Sequence, residues 1–175
     1  MALTTAQLTT LKADIAADQA LSSLPNNSDG NFAIAAVYNI VASPDFWVWR
    51  TSVSKAELTN TSGPEGTTFT WVGNGFITRS AGEQAAWREI FNGSNNVNPS
   101  LANVRQAFSD IFSGAGNAAA NRTHLLAVAR KKATRAQKLF ASGTGSTASP
   151  AMMQGDVTEF YLMSYQEVEM ARNLP

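Results

Sequence analysis

The chain has 175 residues, no cysteine and a single histidine, with 13 basic and 13 acidic side chains. That length and a hydrophobic content of 44% fit an ordinary globular domain with a real core. The missing thiols exclude disulfides and thiolate metal sites, and no apolar run approaches the roughly 20 residues of a membrane helix. Charge is uneven. Residues 1–100 hold five basic and eight acidic side chains, residues 101–142 hold seven basic and one acidic, and residues 143–175 hold one basic and four acidic. Such asymmetry favours head-to-tail contact between copies or contact with a polyanion. The first residues lack the charged start and apolar stretch of a secretory signal, so the Asn-x-Ser/Thr triplets read as products of composition.

In chain order, Thr4 or Thr5 caps a first helix to about Asp18, with Leu8, Leu11 and Ile15 on one face. Pro25-Asn26-Asn27 interrupts, and Ser28 or Asp29 starts a second helix. Apolar residues from Phe32 to Val41 surround its axis, which places it in the middle of a bundle; Pro44 ends it. Phe46-Trp47-Val48-Trp49 fits either an extended segment or a packed turn. With Phe69 and Trp71, these aromatics read as core. Ser54–Asn60 suits a short helix. Thr68–Val72 and Gly75–Thr78, joined by Gly73-Asn74, predict a β-hairpin at about 67–79.

Ser80 and Glu83 form a capping box for the next helix, with Trp87, Ile90 and Phe91 inward and Gly93 as its stop. Asn98-Pro99 signals another start, followed by a stripe of Leu101, Val104, Phe108, Ile111 and Phe112. Gly114 and Gly116 end it. Asn121 or Thr123 then opens a helix to Gly143, whose stretch Leu125–Phe140 carries Arg130, Lys131, Lys132, Arg135 and Lys138 and no acid. Lys131, Arg135 and Lys138 line one flank. Lys132 points into the apolar arc and must snorkel or meet an acid on a partner. Gly143–Pro150 reads as a flexible linker. Beyond it, Val157–Met163 suits a strand, and Ser164 with Glu167 caps a last helix ending near Leu174. No internal repeat is visible. The expected organisation is mainly α: a helical bundle over 1–142 with an inserted hairpin, a linker at 143–150, and a C-terminal strand-plus-helix arm at 151–175.

The five basic residues are candidates for DNA-phosphate or inter-subunit contact. Val157, Phe160, Tyr161, Leu162 and Tyr165 are candidates for an interface arm that adds to another subunit. His124 stands alone, without the partners a catalytic triad or a zinc site requires. No phosphate-binding glycine loop or dinucleotide fingerprint appears. No catalytic, metal-ligating or cofactor-binding residue, and no cofactor, is expected.

Several stretches together resemble a family of small structural proteins of tailed bacteriophages. They are Leu24–Gly30, Trp49–Val53, Val97–Ser100, Ala133–Phe140, Ser164–Val168 and Ala171–Leu174. The resemblance implies a virion component assembled in the host cytoplasm, of the head–tail connector, neck or adaptor type. Its expected partners are copies of itself in a ring, the portal protein, a tail or neck protein and, non-specifically, packaged DNA; no membrane is involved. Capsid decoration, a tail-associated structural role and a small nucleic-acid-binding helical module are the alternatives.

Overall fold

The computed structural model describes residues 3–175. The fold is mainly α with small antiparallel strand pairs. In chain order the elements are α1 (Thr5–Ala17), α2 (Gln19–Ser22), α3 (Ser28–Asn39), β1 (Trp47–Trp49), β2 (Val53–Ser54), α4 (Lys55–Leu58), α5 (Ala81–Glu89), β3 (Asn96–Val97), α6 (Ala102–Ile111), α7 (Asn117–Val128), β4 (Arg130–Lys132), α8 (Arg135–Leu139), β5 (Ala141–Ser142), β6 (Met152–Met153) and α9 (Tyr165–Arg172), with a 3₁₀ turn at Pro64–Gly66. Reciprocal capping boxes start α1, α4, α5, α8 and α9. In each, a Ser or Thr accepts from a backbone N–H three residues on, and the Glu or Gln there accepts from the cap's own N–H.

The chain folds into two compact units. The first comprises the described residues up to Val48 together with Lys132–Pro175; the second is the continuous segment Trp49–Lys131. The core of the first unit gathers Leu8, Leu11 and Ile15 of α1, Ile34 and Tyr38 of α3, Ala136 of α8, and Val157, Met163, Val168 and Ala171 from the C-terminal segment. The second unit packs Val53, Leu58, Trp87, Phe91, Phe108, Phe112 and Leu125 around Phe69. The Phe69 ring lies 5.9 Å from Trp87 and 5.7 Å from Phe112. Here β2 and β3 pair antiparallel, Val53 opposite Val97.

Several sequence expectations hold. The bounds and buried face of α1 are as read, and so are the capping boxes of α5 and α9. Others are corrected. No strand forms within 67–79; residues 71–79 make successive turns instead, with Gly75 N–H donating to Val72 O and Ile77 N–H to Trp71 O. The Asn121 side chain takes the Thr70 backbone, accepting from its N–H at 2.7 Å and donating to its carbonyl at 2.9 Å, so a partner strand has no ladder to join. The small hairpin lies elsewhere: β5 and β6 pair with Ala141 opposite Met153. Its loop is the expected linker, and that loop is fastened. Trp47 N–H donates to Gly145 O at 2.7 Å, and Ala151 N–H to Trp47 O at 2.8 Å. Gly145 has φ +65°, and a Cβ there would strike the Phe46 ring.

The C-terminal segment is core rather than a detachable arm. Val157–Met163 forms turns, not a strand. Arg172 anchors α9 within the first unit, donating to Leu24 O at 2.8 Å, Pro25 O at 3.0 Å and Asn31 Oδ1 at 3.0 Å. Helix α6 begins later than Asn98-Pro99 suggested, because Asn98 Oδ1 is used in a local turn with Ser100 N–H and Oγ–H. Helix α3 stops at Asn39, so Ile40 and Val41 are exposed rather than central. Asn39 pairs with the Met163 backbone through both its side-chain atoms, and residues 40–42 then run extended beside 133–135.

The basic helix is interrupted. Ala129 N–H closes α7 on Leu125 O, residues 130–132 are extended, and Thr134 caps a fresh helix. Finally, a short internal repeat does exist. Arg50-x-x-Val53-Ser54-Lys55-Ala56-Glu57 matches Arg130-x-x-Ala133-Thr134-Arg135-Ala136-Gln137 in residue type. The spacing Ser80, Glu83, Arg88 recurs as Ser164, Glu167, Arg172. The helix pair α4 and α5 in the second unit thus has its counterpart in α8 and α9 of the first.

Candidate assembly surfaces

The five basic residues fall on different elements and meet different partners. Arg130, in the second unit, donates from Nη2 to both carboxylate oxygens of Glu65, at 2.9 and 3.1 Å. Lys131, also there, is half-buried. Lys132 belongs to the first unit; its ammonium is 2.7 Å from Asp45 and 5.9 Å from the Trp47 ring. It sits in a strand rather than in an apolar helical arc, and its acid is in its own chain. Arg135 bridges Asp14 and Asp18, each at 2.9 Å, and lies over the Tyr38 ring at 4.7 Å. Lys138 faces Phe46, 5.7 Å from the ring centroid.

The Arg135 cluster is the strongest electrostatic feature of the first unit. Its hydrogen bond holds the Asp18 carboxyl below the usual aspartate value. Burial alone would lower the Arg135 pKa, but the bonds from Asp14 and Asp18 outweigh it and raise it. Burial, with the Tyr38 hydroxyl donating to Asp14, pushes the Tyr38 pKa upward. Asp18 also caps α2, accepting from Ala20 N–H at 3.0 Å. This cluster ties α1, α2, α3 and α8 together; its charges are largely satisfied internally.

The five aromatic and apolar arm residues divide in two. Val157 is core, Tyr161 is half-buried, and Tyr165 stacks on Phe32 with centroids 4.2 Å apart. Burial, then the Glu167 charge, raises the Tyr161 pKa. Phe160 and Leu162 point outward, 73% and 68% exposed.

The sequence reading missed a pocket of about 500 Å³ in the first unit. Val37, Ile40, Val41 and Leu139 give it apolar walls, and Asp14, Arg135 and Lys138 stand at it. Placing Ile40 and Val41 inside a buried helix concealed it. The second unit has a smaller depression of about 420 Å³ beside Lys55, Thr59 and Trp71, and exposes Val72, Ile77 and Leu101.

His124 is wholly buried in α7. The Thr67 hydroxyl donates to Pro64 O at 2.7 Å, so His124 Nδ1–H is the donor in its 3.1 Å bond to Thr67 Oγ1. Burial lowers its pKa, and the carbonyls of Thr67, Leu58 and Glu57 offset part of that. Among the described residues, no group of three or more His, Cys, Asp or Glu side chains is placed to hold a metal ion, and no helix is long and apolar enough to cross a membrane.

The motif stretches meet one another within each unit. Arg172 of Ala171–Leu174 binds Leu24, Pro25 and Asn31, and Asn26 donates to Asn173. Val53 pairs with Val97, while Arg105 lies over Trp49 and donates to Pro99 O. These contacts hold the fold of each unit together. No protein-family model, curated protein or solved structure matches the chain.

Proposed function

We propose that this chain is a non-enzymatic structural protein of a tailed-phage virion, a ring subunit of the head–tail connector that joins portal to tail. The phage resemblance of the motif stretches supplies the particular assembly. The observation that carries an assembly role is the set of large apolar side chains held outward on packed frameworks: Ile40, Val41, Phe160 and Leu162 in the first unit, Trp71, Val72, Ile77 and Leu101 in the second. Neighbouring core residues anchor these positions, so the exposure is built in, and burying such side chains against another chain is favourable by roughly 25 cal/mol per Å² of apolar surface.

The pairing of Arg130, Lys132 and Arg135 with acids weakens the case for a free-standing nucleic-acid-binding module. DNA contact in this reading is non-specific and secondary to subunit contact. Capsid decoration or a tail-associated role shares the same assembly physics, and location separates it from the connector.

Electron microscopy of purified virions, and of this chain mixed with the portal protein, tests the reading. The expected result is a cyclically symmetric ring of this chain at the portal vertex. Absence of the chain from virions overturns the reading; density elsewhere on the capsid or tail replaces it with the decoration or tail role.

A further inference from the structure

The first unit carries a pocket and, separately, a protrusion of complementary character. Val37, Ile40, Val41 and Leu139 wall the pocket, and Lys138 stands at it. No carboxylate among the described residues lies within ion-pair distance of Lys138, whereas Arg135 beside it is neutralised by Asp14 and Asp18. The pocket is thus apolar with one spare positive charge.

The protrusion is the loop between β6 and α9. Val157, Glu159 and Met163 turn inward, and Phe160 and Leu162 turn out. Gln137 Nε2 holds the loop by donating to Thr158 O at 3.0 Å and to Glu159 O at 3.1 Å. Asp156 is exposed at its start and has no ion-pair partner among the described residues. The loop therefore offers two apolar side chains and one spare negative charge.

A single chain cannot join the two. At about 100° per residue, Gln137 points roughly 150° away from the middle of the α8 face formed by Arg135, Lys138 and Leu139. The protrusion is bonded to one side of α8 and the pocket opens on the other. We infer that the pocket receives Phe160 and Leu162 of a second copy, with that copy's Asp156 against Lys138. Pocket and protrusion are different surfaces, so the contact is heterologous. It propagates from copy to copy until it closes as a ring or extends as a filament. This inference rests on the assembly reading above and names the surfaces that serve it.

The absence of native cysteine makes thiol cross-linking clean. Lys138→Cys and Asp156→Cys are made singly and together, on the full chain, and treated with a short bismaleimide. Mixing the two single variants is expected to give a covalent dimer, and the double variant a ladder or one closed band. Lys138→Cys mixed with Gln19→Cys, an exposed position on α2 that lines neither surface, gives neither. Adding Phe160→Ser to the Asp156→Cys chain is expected to cut the yield at least tenfold; circular dichroism checks that this exposed substitution leaves the fold intact. A yield from the Lys138/Asp156 mixture no higher than the Gln19 control overturns the inference, as does a yield indifferent to Phe160→Ser. Either result leaves the connector reading to be decided by the chain's location in virions.

Discussion

At the scale of single residues, three polar side chains do structural tasks. Asn121 and Asn39 each present an amide to a passing backbone, at Thr70 and Met163, and reproduce one rung of a β-ladder. His124 is the other case. Its Nδ1–H bonds Thr67, and its Nε2 has no partner among the described residues. A Cβ on Gly63 would lie 2.4 Å from its Cε1, so the ring is closely enclosed. Charging this ring while folded is unfavourable, and the unfolded chain takes the proton first. Stability should be complete above the ordinary histidine value near 6.5 and should fall as pH drops through it toward the lower folded value. The slope is at most about 1.4 kcal/mol per pH unit. Thermal melts between pH 7.5 and 5.5 should show this fall in the wild type and its loss in His124→Asn, which keeps a donor toward Thr67. A wild-type melting temperature flat over that range counts against a buried neutral imidazole. The Asp18 contribution lies in a separate, more acidic window: its carboxyl is held below the ordinary aspartate value by the Arg135 hydrogen bond, so that contribution is present above the ordinary value and is lost as pH falls through the lowered one.

At the scale of elements, the starts of α1, α3, α4, α5 and α9 were legible, whereas the starts of α6, α7 and α8 and the extended segments were not. A capping box is local: Ser80 and Glu83 satisfy each other within one turn, so the sequence displays both partners. The break after Ala129 is not local. Arg130 to Lys138 has good helical propensity, but Ala133 N–H is taken by Phe46 O, and Ala133 O accepts from Ala42 N–H. Backbone partners some 90 positions distant in the chain override propensity there. The linker at 143–150 misled for the same reason, since its fastening points, Phe46 and Trp47, lie far off in sequence. The candidate site was half-legible. Phe160 and Leu162 were named from their pattern, but the pocket of Val37, Ile40 and Val41 depended on where α3 ends.

The C-terminal helix shows what the difference means energetically. Val168 and Ala171 are fully buried, and Arg172 supplies three hydrogen bonds to Leu24, Pro25 and Asn31. Charge-assisted bonds of this kind contribute about 1.5–3 kcal/mol when broken one at a time. Arg172→Ala is therefore expected to destabilise the protein by at least about 2 kcal/mol in urea unfolding, with the slope unchanged. A loss below about 0.5 kcal/mol would return α9 to the status of a loosely attached arm.

At the scale of the whole chain, the two units differ in continuity. Trp49–Lys131 is one uninterrupted segment, whereas the first unit is assembled from both ends of the sequence. The continuous unit has its own aromatic core, in which Phe69, Trp87, Phe108 and Phe112 are almost completely buried. Each such side chain contributes about 1.5–3 kcal/mol on burial, offset by chain entropy as in any small domain. The excised segment 49–131 is accordingly expected to fold alone. It should give a helical circular dichroism spectrum and one cooperative melt followed by Trp49, Trp71 and Trp87. The complementary cut behaves differently. Residues 132–175 carry α8 and α9 but lack α1 and α3, whose Leu11, Ile34 and Tyr38 complete the first core. That fragment alone should be unfolded, and adding a peptide of residues 1–48 should restore helicity. An unfolded 49–131 segment would mean that neither core is sufficient without the other, and that the chain folds as one cooperative body.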